Sequence, residues 1–195
     1  MMISNIIVTA TGNKGKLAEM KNILSDFQIR SFKDFDVSID VEEDQDTFEG
    51  NALKKAKAGA DYFKHVLCIA DDSGICIDEF DGWPGVKTAR WMKGTDHEKN
   101  LAILEKMKGL PKERRKAHVV TCIAIADKLL SIATTHTMDG YISTEPRGEN
   151  GFGFDEIFEL EDGRTLAELS TEEKNSMSSR KIALEEIKKF INKPN

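Results

Sequence analysis

The chain has 195 residues, of which 39% are hydrophobic and 32% are charged, and its formal net charge is -6. This composition is typical of a globular protein with its own core, which excludes disordered and collagen-like classes. The negative charge disfavours a general affinity for nucleic acid, because binding to a phosphate backbone needs a basic face. No apolar stretch approaches the roughly 20 residues of a membrane span, and the N-terminal segment lacks a basic region, so we expect a cytoplasmic protein without a membrane partner.

The three cysteines, Cys68, Cys76 and Cys122, form no Cys-x-x-Cys pair, and two of them lie in apolar, strand-like runs. An odd number of cysteines without such a pair gives little support to a zinc site or a disulfide framework. We therefore expect buried, reduced thiols.

Hydrophobic spacing predicts strands and helices that alternate through the first half of the chain. The predicted elements are a strand at 6–10, a helix from about 17, a strand at 28–32, a helix from about 46 and a strand at 66–70. Asp46 followed by Glu49 resembles a capping box, which would start the second helix. The acidic segment 36–45 is predicted to be a polar connection.

The second half of the chain is predicted to hold a helix, a hairpin and a terminal helix. The helix spans 95–107 with Leu101, Leu104 and Met107 inward, the hairpin pairs 117–126 with 129–137, and the last helix spans 180–191. Ser170 and Glu173 form a second capping-box pattern. Alternating elements followed by a hairpin predict a mixed sheet flanked by helices in one domain, residues 1–195.

A glycine-rich loop separates the first strand from the first helix. It consists of Thr11, Gly12, Asn13, Lys14, Gly15 and Lys16. Such a loop aims backbone N–H groups at an anion, its glycines allow close approach and unusual dihedral angles, and its lysines add positive charge. It does not match the Walker A pattern, because Leu17 stands where Ser or Thr is required. A phosphate-binding loop and a simple turn with solvated lysines both fit these residues.

Two adjacent aspartates follow a predicted buried strand and lead into a predicted glycine turn. Asp71 and Asp72 directly precede Ser73 and Gly74. Because consecutive strand residues point to opposite faces, one carboxylate is predicted to face a cleft while the other supports a loop. Glu43 is a candidate second carboxylate, since two or three carboxylate oxygens with substrate phosphates usually hold Mg²⁺. An acidic turn that binds nothing is the alternative.

Three further patterns place candidate ligand groups along the chain. Asn51 and Lys55 share one helix face, the segment 151–155 sets aromatic rings between glycines, and Lys174 and Arg180 bracket a helix junction. Aromatic rings in a loop suit stacking on a base, and a guanidinium donates well to a base carbonyl. A hydrophobic plug under the loop and ordinary helix-end charge are the alternatives.

Taken in order, these segments resemble the inosine triphosphate pyrophosphatase family, also called Ham1-like. The segments that carry the resemblance are Ala10–Lys16, Thr47–Ala52, Ala70–Gly74, Gly82–Val86, Ala89–Arg90, Gly151–Asp155 and Glu172–Asn175. They span nearly the whole chain in the order typical of that family.

The resemblance implies Mg²⁺-dependent hydrolysis of ITP, dITP and XTP to the monophosphate and pyrophosphate. It also implies a homodimer and an elongated mixed sheet with two lobes around a substrate cleft. In this scheme Glu43 and Asp72 hold the metal, and Asp72 is the catalytic base. The implied substrate-binding residues are Thr11, Gly12, Asn13, Lys14, Gly15 and Lys16 for the triphosphate, Lys55, Ser73, Phe152, Gly153, Phe154, Asp155 and Lys174 for the nucleotide, and Ser179 and Arg180 for the base.

Four positions depart from the family pattern. Ser179 stands where the family usually has His, Phe154 where it has Tyr, Glu156 where it has Pro, and Thr88 where it often has Ser. The missing imidazole bears on the choice among hypoxanthine, xanthine and guanine. None of these departures removes a metal carboxylate, so activity is expected.

Two other functions are compatible with the residues. The first is a pyrophosphatase for other modified nucleotides, as in the Maf-like proteins, for which the missing histidine leaves room. The second is a module that binds nucleotides without cleaving them. That module would need the loss of a metal carboxylate or a lysine, and the sequence shows neither loss.

Overall fold

The computed structural model describes residues 5–192, which contain seven strands and five α-helices. The strands are β1 (Ile6–Thr9), β2 (Gln28–Ser31), β3 (Leu67–Ile77), β4 (Trp83–Pro84), β5 (Lys116–Ala126), β6 (Ser131–Ile142) and β7 (Phe158–Glu159). The helices are α1 (Lys14–Ile23), α2 (Phe48–Phe63), α3 (Asp96–Lys106), α4 (Thr171–Met177) and α5 (Ser179–Ile191). Within this part of the chain, no helix has both the length and the apolar composition of a membrane span.

The strands of the described residues form one mixed sheet. Its order is β2-β1-β3-β5-β6-β7, and β4 pairs with β3 outside this path. β1 runs parallel to β2 and to β3, with Ile7 opposite both Ile29 and Leu67. β4 is antiparallel to β3, and β7 is antiparallel to β6. The predicted mixed α/β fold is therefore confirmed.

The described residues group into two compact units, and each unit has its own core. The first unit consists of residues 5–72, 121–136 and 180–192, and the second consists of residues 73–120 and 137–179. The division falls inside β3, between Asp72 and Ser73.

In the first unit, the sheet carries a hydrophobic core on each face. Ile69 of β3 packs with α1 and α5 on one face, where Leu184 is fully buried. Cys68 and Ala70 pack with α2 on the other face, where Ala56 is fully buried. Neighbouring residues of β3 thus point to opposite faces, as the period of two in a strand requires.

In the second unit, α3 buries a stripe that differs from the predicted one. Leu101, predicted to point inward, is 45% exposed, and Ile103 is 2% exposed. The buried stripe runs through Asn100, Ile103 and Met107, which share one helix face because they lie three and four residues apart. The prediction is confirmed for Met107 and for Leu104, which packs against the core, and it is wrong for Leu101. It failed there because the polar Asn100 takes a position that an apolar pattern assigns to a hydrophobic residue.

Two element ends also differ from their predictions. Helix α2 begins after Thr47, whose side chain accepts a hydrogen bond from the Gly50 N–H at 3.0 Å, so the N-cap is Thr47 and not Asp46. The predicted hairpin forms, but β6 starts at Ser131 because residues before it belong to the turn. In this turn, Asp127 Oδ1 accepts hydrogen bonds from the N–H groups of Leu129 and Leu130, which fixes the turn.

We predict that Cys68 and Cys122 react slowly with an alkylating reagent while the protein is folded. Both thiols are free and buried, and burial raises the pKa of Cys68 to about 12 and the pKa of Cys122 to about 11. The thiolate is the reactive species, so the partly buried Cys76 should be modified first. Peptide mass spectrometry after timed alkylation gives the order, and equal native-state rates for Cys68 and Cys76 would contradict the burial.

Candidate active site

Strand β3 continues through both aspartates instead of ending before them. It spans Leu67–Ile77, so Asp71 and Asp72 lie inside the strand and the predicted glycine turn at Gly74 is wrong. The apolar residues on both sides of the pair support a long buried strand, which the short run 66–70 did not reveal. Inside a strand the two carboxylates must point to opposite faces, and they have different partners.

Asp71 belongs to the face of α1 and α5 and is surrounded by cations. Lys16 Nζ donates to its Oδ1, and Arg180 Nε donates to its Oδ2 at 2.8 Å. A second arm of Arg180, its Nη1, donates to Glu19 Oε2 at 2.5 Å. The side chain of Asp71 is 0% exposed, so this network joins α1, β3 and α5 in the interior of the first unit.

The network stabilises the ionised form of the Asp71 carboxylate. Burial alone would raise the pKa of the Asp71 carboxyl, but Arg180 and Lys16 together hold it well below its usual range. The Arg180 guanidinium has a pKa above its ordinary value, because Asp71 and Glu19 outweigh its burial. Burial lowers the pKa of the Lys16 ammonium, although Asp71 opposes that shift. A carboxylate held this firmly stabilises the structure and is poorly suited to take up a proton.

Asp72 belongs to the opposite face and contacts α2. Lys55 Nζ donates to Asp72 Oδ1 at 2.9 Å and to Glu43 Oε1 at 2.6 Å, so one ammonium links the two predicted metal carboxylates. Asn51 Nδ2 donates to Asp72 Oδ2 at 3.3 Å, and Asn51 Oδ1 accepts the Gln45 N–H at 3.1 Å. The fully buried Asn51 therefore connects the acidic segment before α2 to β3.

Burial and the charges around Asp72 act on its carboxyl group in opposite directions. Burial raises the pKa of the Asp72 carboxyl above its ordinary value, Lys55 opposes this, and the nearby Glu43 adds to it. Burial lowers the pKa of the Lys55 ammonium, but Asp72 and Glu43 together raise it above its ordinary value. The Lys55 ammonium therefore contacts two carboxylates that lie close to each other.

Glu43 and Asp72 are the candidate ligands for a magnesium ion. Among the described residues, no three His, Cys, Asp or Glu side chains converge as a metal site. Mg²⁺ is usually held by one or two carboxylates, with water and substrate phosphates completing its shell. Glu43 and Asp72 fit this open arrangement, because they are two carboxylates that contact the same ammonium group.

The glycine-rich loop leads directly into α1. Asn13 is the N-cap, and its Oδ1 accepts the Lys16 N–H at 3.1 Å, while Thr11 Oγ1 accepts the Asn13 N–H at 3.2 Å. Among the described glycines, Gly12 and Gly15 are not in the positive-φ region, so the loop does not use the unusual dihedral angles that were predicted. A Cβ on Gly12 would meet nothing within 4 Å, so the missing side chain leaves open space beside the helix N-terminus.

The second unit holds the glycine-aromatic loop at 151–155. Asp155 Oδ2 accepts the Phe152 N–H at 2.7 Å and a hydrogen bond from Lys174 Nζ at 2.6 Å. The same Lys174 Nζ lies 4.4 Å from the centroid of the Phe152 ring, within cation–π distance. Lys174 is on α4, which starts with the predicted capping box of Ser170 and Glu173. Asp155 thus orients both the loop backbone and the lysine.

The sequence is similar over most of its length to a family of known proteins. Residues 7–190 match the model described as the Ham1 family. The chain belongs to the Ham1 family. A protein of Halalkalibacterium halodurans named dITP/XTP pyrophosphatase is 40% identical over 190 residues, which cover 94% of this chain and 97% of that protein. A Bacillus subtilis protein with the same name is 38% identical over 197 residues, covering 98% and 99%.

A solved structure supports the same assignment. The Ham1 protein of Staphylococcus aureus superposes with a TM-score of 0.85 at 32% sequence identity, covering 95% of this chain and 97% of that chain. The resemblance found in the sequence is therefore confirmed for the family and the fold.

Eight of the predicted site residues lie in three groups of contacting side chains. The first unit brings Glu43, Lys55 and Asp72 together, and separately joins Lys16 to Arg180 through Asp71. The second unit joins Phe152, Asp155 and Lys174. Ser73 lies in β3, and the buried Ser179 starts α5.

Phe154 and Arg180, which were both predicted to contact the nucleotide, have partners within the protein. The Phe154 ring packs edge-on against Phe158, with centroids 6.5 Å apart, as part of the second unit's core. Arg180 is 7% exposed and bonded to two carboxylates, so its predicted contact with a base stays a prediction. Glu19 was missed, although its spacing of three from Lys16 on α1 places both on one helix face.

We predict that Gly151→Ala destabilises the protein more than Gly163→Ala. Both glycines have positive φ, 82° and 87°, so each substitution adds backbone strain of about 1–2 kcal/mol. Only at Gly151 would the new Cβ also clash with Asp155 Oδ2 and force that carboxylate away from the Phe152 N–H. We expect an additional loss of about 1–3 kcal/mol in the free energy of unfolding, measured with urea. Equal losses would show that the Asp155 contact contributes nothing.

Proposed function

We propose that this protein hydrolyses ITP, dITP and XTP to the nucleoside monophosphate and pyrophosphate. The observation that carries the proposal is the pair of carboxylates, Glu43 and Asp72, around the Lys55 ammonium. Support also comes from the family, since relatives that match nearly the whole chain are named dITP/XTP pyrophosphatase.

Glu43 and Asp72 are the residues that would hold Mg²⁺. When bound, the ion would offset the charge of the triphosphate and the charge that develops on the leaving pyrophosphate. Lys55 adds a positive charge at the same place, because its Nζ contacts both carboxylates. Asn51 keeps Asp72 in place by donating to Oδ2, the oxygen that Lys55 does not contact.

Asp72 is the proposed general base. Its carboxylate would accept a proton from a water molecule whose oxygen attacks the α-phosphorus. The α–β anhydride bond then breaks, and the electron pair leaves with the β-phosphate oxygen as pyrophosphate. The raised pKa of the Asp72 carboxyl, caused by burial and Glu43, favours this proton uptake over that at Asp71.

The triphosphate is expected to bind at the N-terminus of α1. Free backbone N–H groups and the positive end of the helix dipole attract anions there. Lys14 is exposed beside this end, and the open space at Gly12 allows a phosphate to approach the backbone. Lys16 is already bonded to Asp71, so we assign Lys14 and the backbone the larger part of the attraction.

The residues proposed to recognise the base lie in the loop 151–155 and at the start of α5. Phe152 offers a ring for stacking, and its position is fixed by Asp155 and Lys174. Ser179 and Arg180 are the proposed contacts for the purine edge. A homodimer, a cytoplasmic location and the implied substrate cleft stay predictions.

We predict pyrophosphate release from ITP, XTP and dITP and much slower turnover of GTP and ATP. Each nucleotide is incubated with Mg²⁺, and orthophosphate is measured with and without added inorganic pyrophosphatase. Signal only with the added enzyme shows cleavage between the α- and β-phosphates. EDTA should abolish the signal, because Glu43 and Asp72 add to the negative charge of the triphosphate, which then needs a metal ion to offset it.

The same experiment separates the alternatives. Orthophosphate without added pyrophosphatase would mean removal of the γ-phosphate and would overturn the mechanism. A preference for modified pyrimidine or methylated nucleotides would favour a Maf-like activity. ITP binding without any product would favour a module that only binds nucleotides.

A further inference from the structure

The first turns of α3 carry polar side chains that contact the loop 151–156 of the same unit. Asn100 Nδ2 donates to the Gly153 carbonyl and to Glu156 Oε1, both at 2.8 Å. Asp96 Oδ2 accepts the Gly153 N–H at 3.1 Å. His97 Nδ1 lies 2.9 Å from the same Glu156 oxygen. Three side chains of α3 therefore fix the backbone of Gly153 and the end of the loop at Glu156.

Asn100 is the central residue of this contact, because it is buried and its amide bonds both to Gly153 and to Glu156. It is 3% exposed and lies on the α3 stripe that also buries Ile103 and Met107. An amide has two N–H donors, and here one nitrogen meets two acceptors. A buried polar group of this kind is costly unless it is bonded, so its contacts define one loop position.

The scaffold below the loop is itself fixed. Thr95 caps α3, its Oγ1 accepts the Glu98 N–H at 3.2 Å, and Glu98 Oε2 accepts the Thr95 N–H at 2.7 Å. This capping box orders the turn that presents Asp96 to the loop.

The loop needs such support because it is rich in glycine. Gly151 and Gly153 both have positive φ, at 82° and 66°, and glycines lose more conformational freedom on ordering than other residues. Phe152 lies between them, and its ring position depends on both neighbours. Contacts that fix Gly153 therefore also fix the ring.

We propose that Asp96, Asn100 and Glu156 are positioning residues that hold the loop in the form that binds the nucleotide. The inference rests on the proposed function of Phe152 as a nucleotide contact. When only a fraction of the molecules has the loop in its binding form, the apparent affinity falls by that fraction. Releasing the loop should therefore raise KM and leave the turnover of the saturated enzyme nearly unchanged, since Asp72 is untouched.

The test compares Asn100→Ala, Glu156→Ala and Glu156→Gln with the wild-type protein. Loss of one hydrogen bond to a charged group corresponds to a KM for ITP about tenfold higher in Asn100→Ala and in Glu156→Ala. Glu156→Gln keeps an oxygen that can accept from Asn100, so its KM should return to within about threefold of wild type. Because both alanine variants break the same contact, the double variant should raise KM less than the product of the single effects.

Glu105→Gln is the matched control. It lies on α3, its side chain is 74% exposed, and its contact is with Lys108 on the same helix surface. Its KM should equal that of the wild type.

A second measurement does not depend on catalysis. Hydrogen exchange at the Gly153 amide should be faster in Asn100→Ala and Glu156→Ala than in wild type and Glu105→Gln. An unchanged KM for ITP with an unchanged exchange rate would overturn the positioning role while leaving the hydrolase activity intact. A KM that is unchanged while exchange accelerates would show that the loop is held by these residues but does not bind the nucleotide, and would also overturn it. A wild-type protein that releases no product from ITP would instead contradict the proposed function, on which the inference depends.

Discussion

Two consecutive aspartates inside one continuous strand impose the constraint on which the first unit depends. A strand sends neighbouring side chains to opposite faces, so Asp71 and Asp72 cannot act at the same place. Asp71 meets Lys16 and Arg180 on the face of α1 and α5, and Asp72 meets Lys55 on the face of α2. Removing one partner of a buried ion pair is strongly destabilising, because the other charge stays buried without compensation. The strand therefore places a carboxylate bonded to two buried cations next to the carboxylate proposed as the general base, on opposite faces of the same sheet.

In both units, a buried asparagine contacts residues or loops that are proposed to bind the substrate. Asn51 connects the acidic segment before α2 to Asp72, and it is fully buried. Asn100 plays a similar part for the loop 151–156 in the second unit, where it is 3% exposed. Each amide donates to a carboxylate and also bonds to the main chain of a segment without regular structure. Such contacts fix irregular backbone, which hydrophobic packing alone does not orient.

The sequence predicted the helical faces well where they are made of apolar residues. In the predicted last helix, the apolar residues three and four positions apart define one face, and all of them are buried: Ala183, Leu184, Ile187 and Ile191. The sequence failed where polar residues lie in the interior. The Asp71–Asp72 pair looked like the end of a strand, and Asn100 displaced the expected stripe of α3, because hydrophobic patterns assign polar residues to turns and surfaces. Glu43 was grouped with the two aspartates because carboxylates hold Mg²⁺. Lys55 was added, and Asp72 was chosen over Asp71, only through the family resemblance, since no spacing rule relates a loop, a helix and a strand.

The division of labour between the aspartates is tested most directly by comparing Asp71→Asn with Asp72→Asn in the same preparation. The free energy of unfolding is measured with urea, and kcat is measured for ITP with Mg²⁺. Asp72→Asn should lower kcat by about 100-fold or more, the usual contribution of a general base, with a smaller loss of stability than Asp71→Asn. Asp71→Asn should lose about 3 kcal/mol of stability, because Arg180 and Lys16 lose their shared anion. Wild-type turnover in Asp72→Asn, or wild-type stability in Asp71→Asn, would contradict the assignment of chemistry to one face and structure to the other.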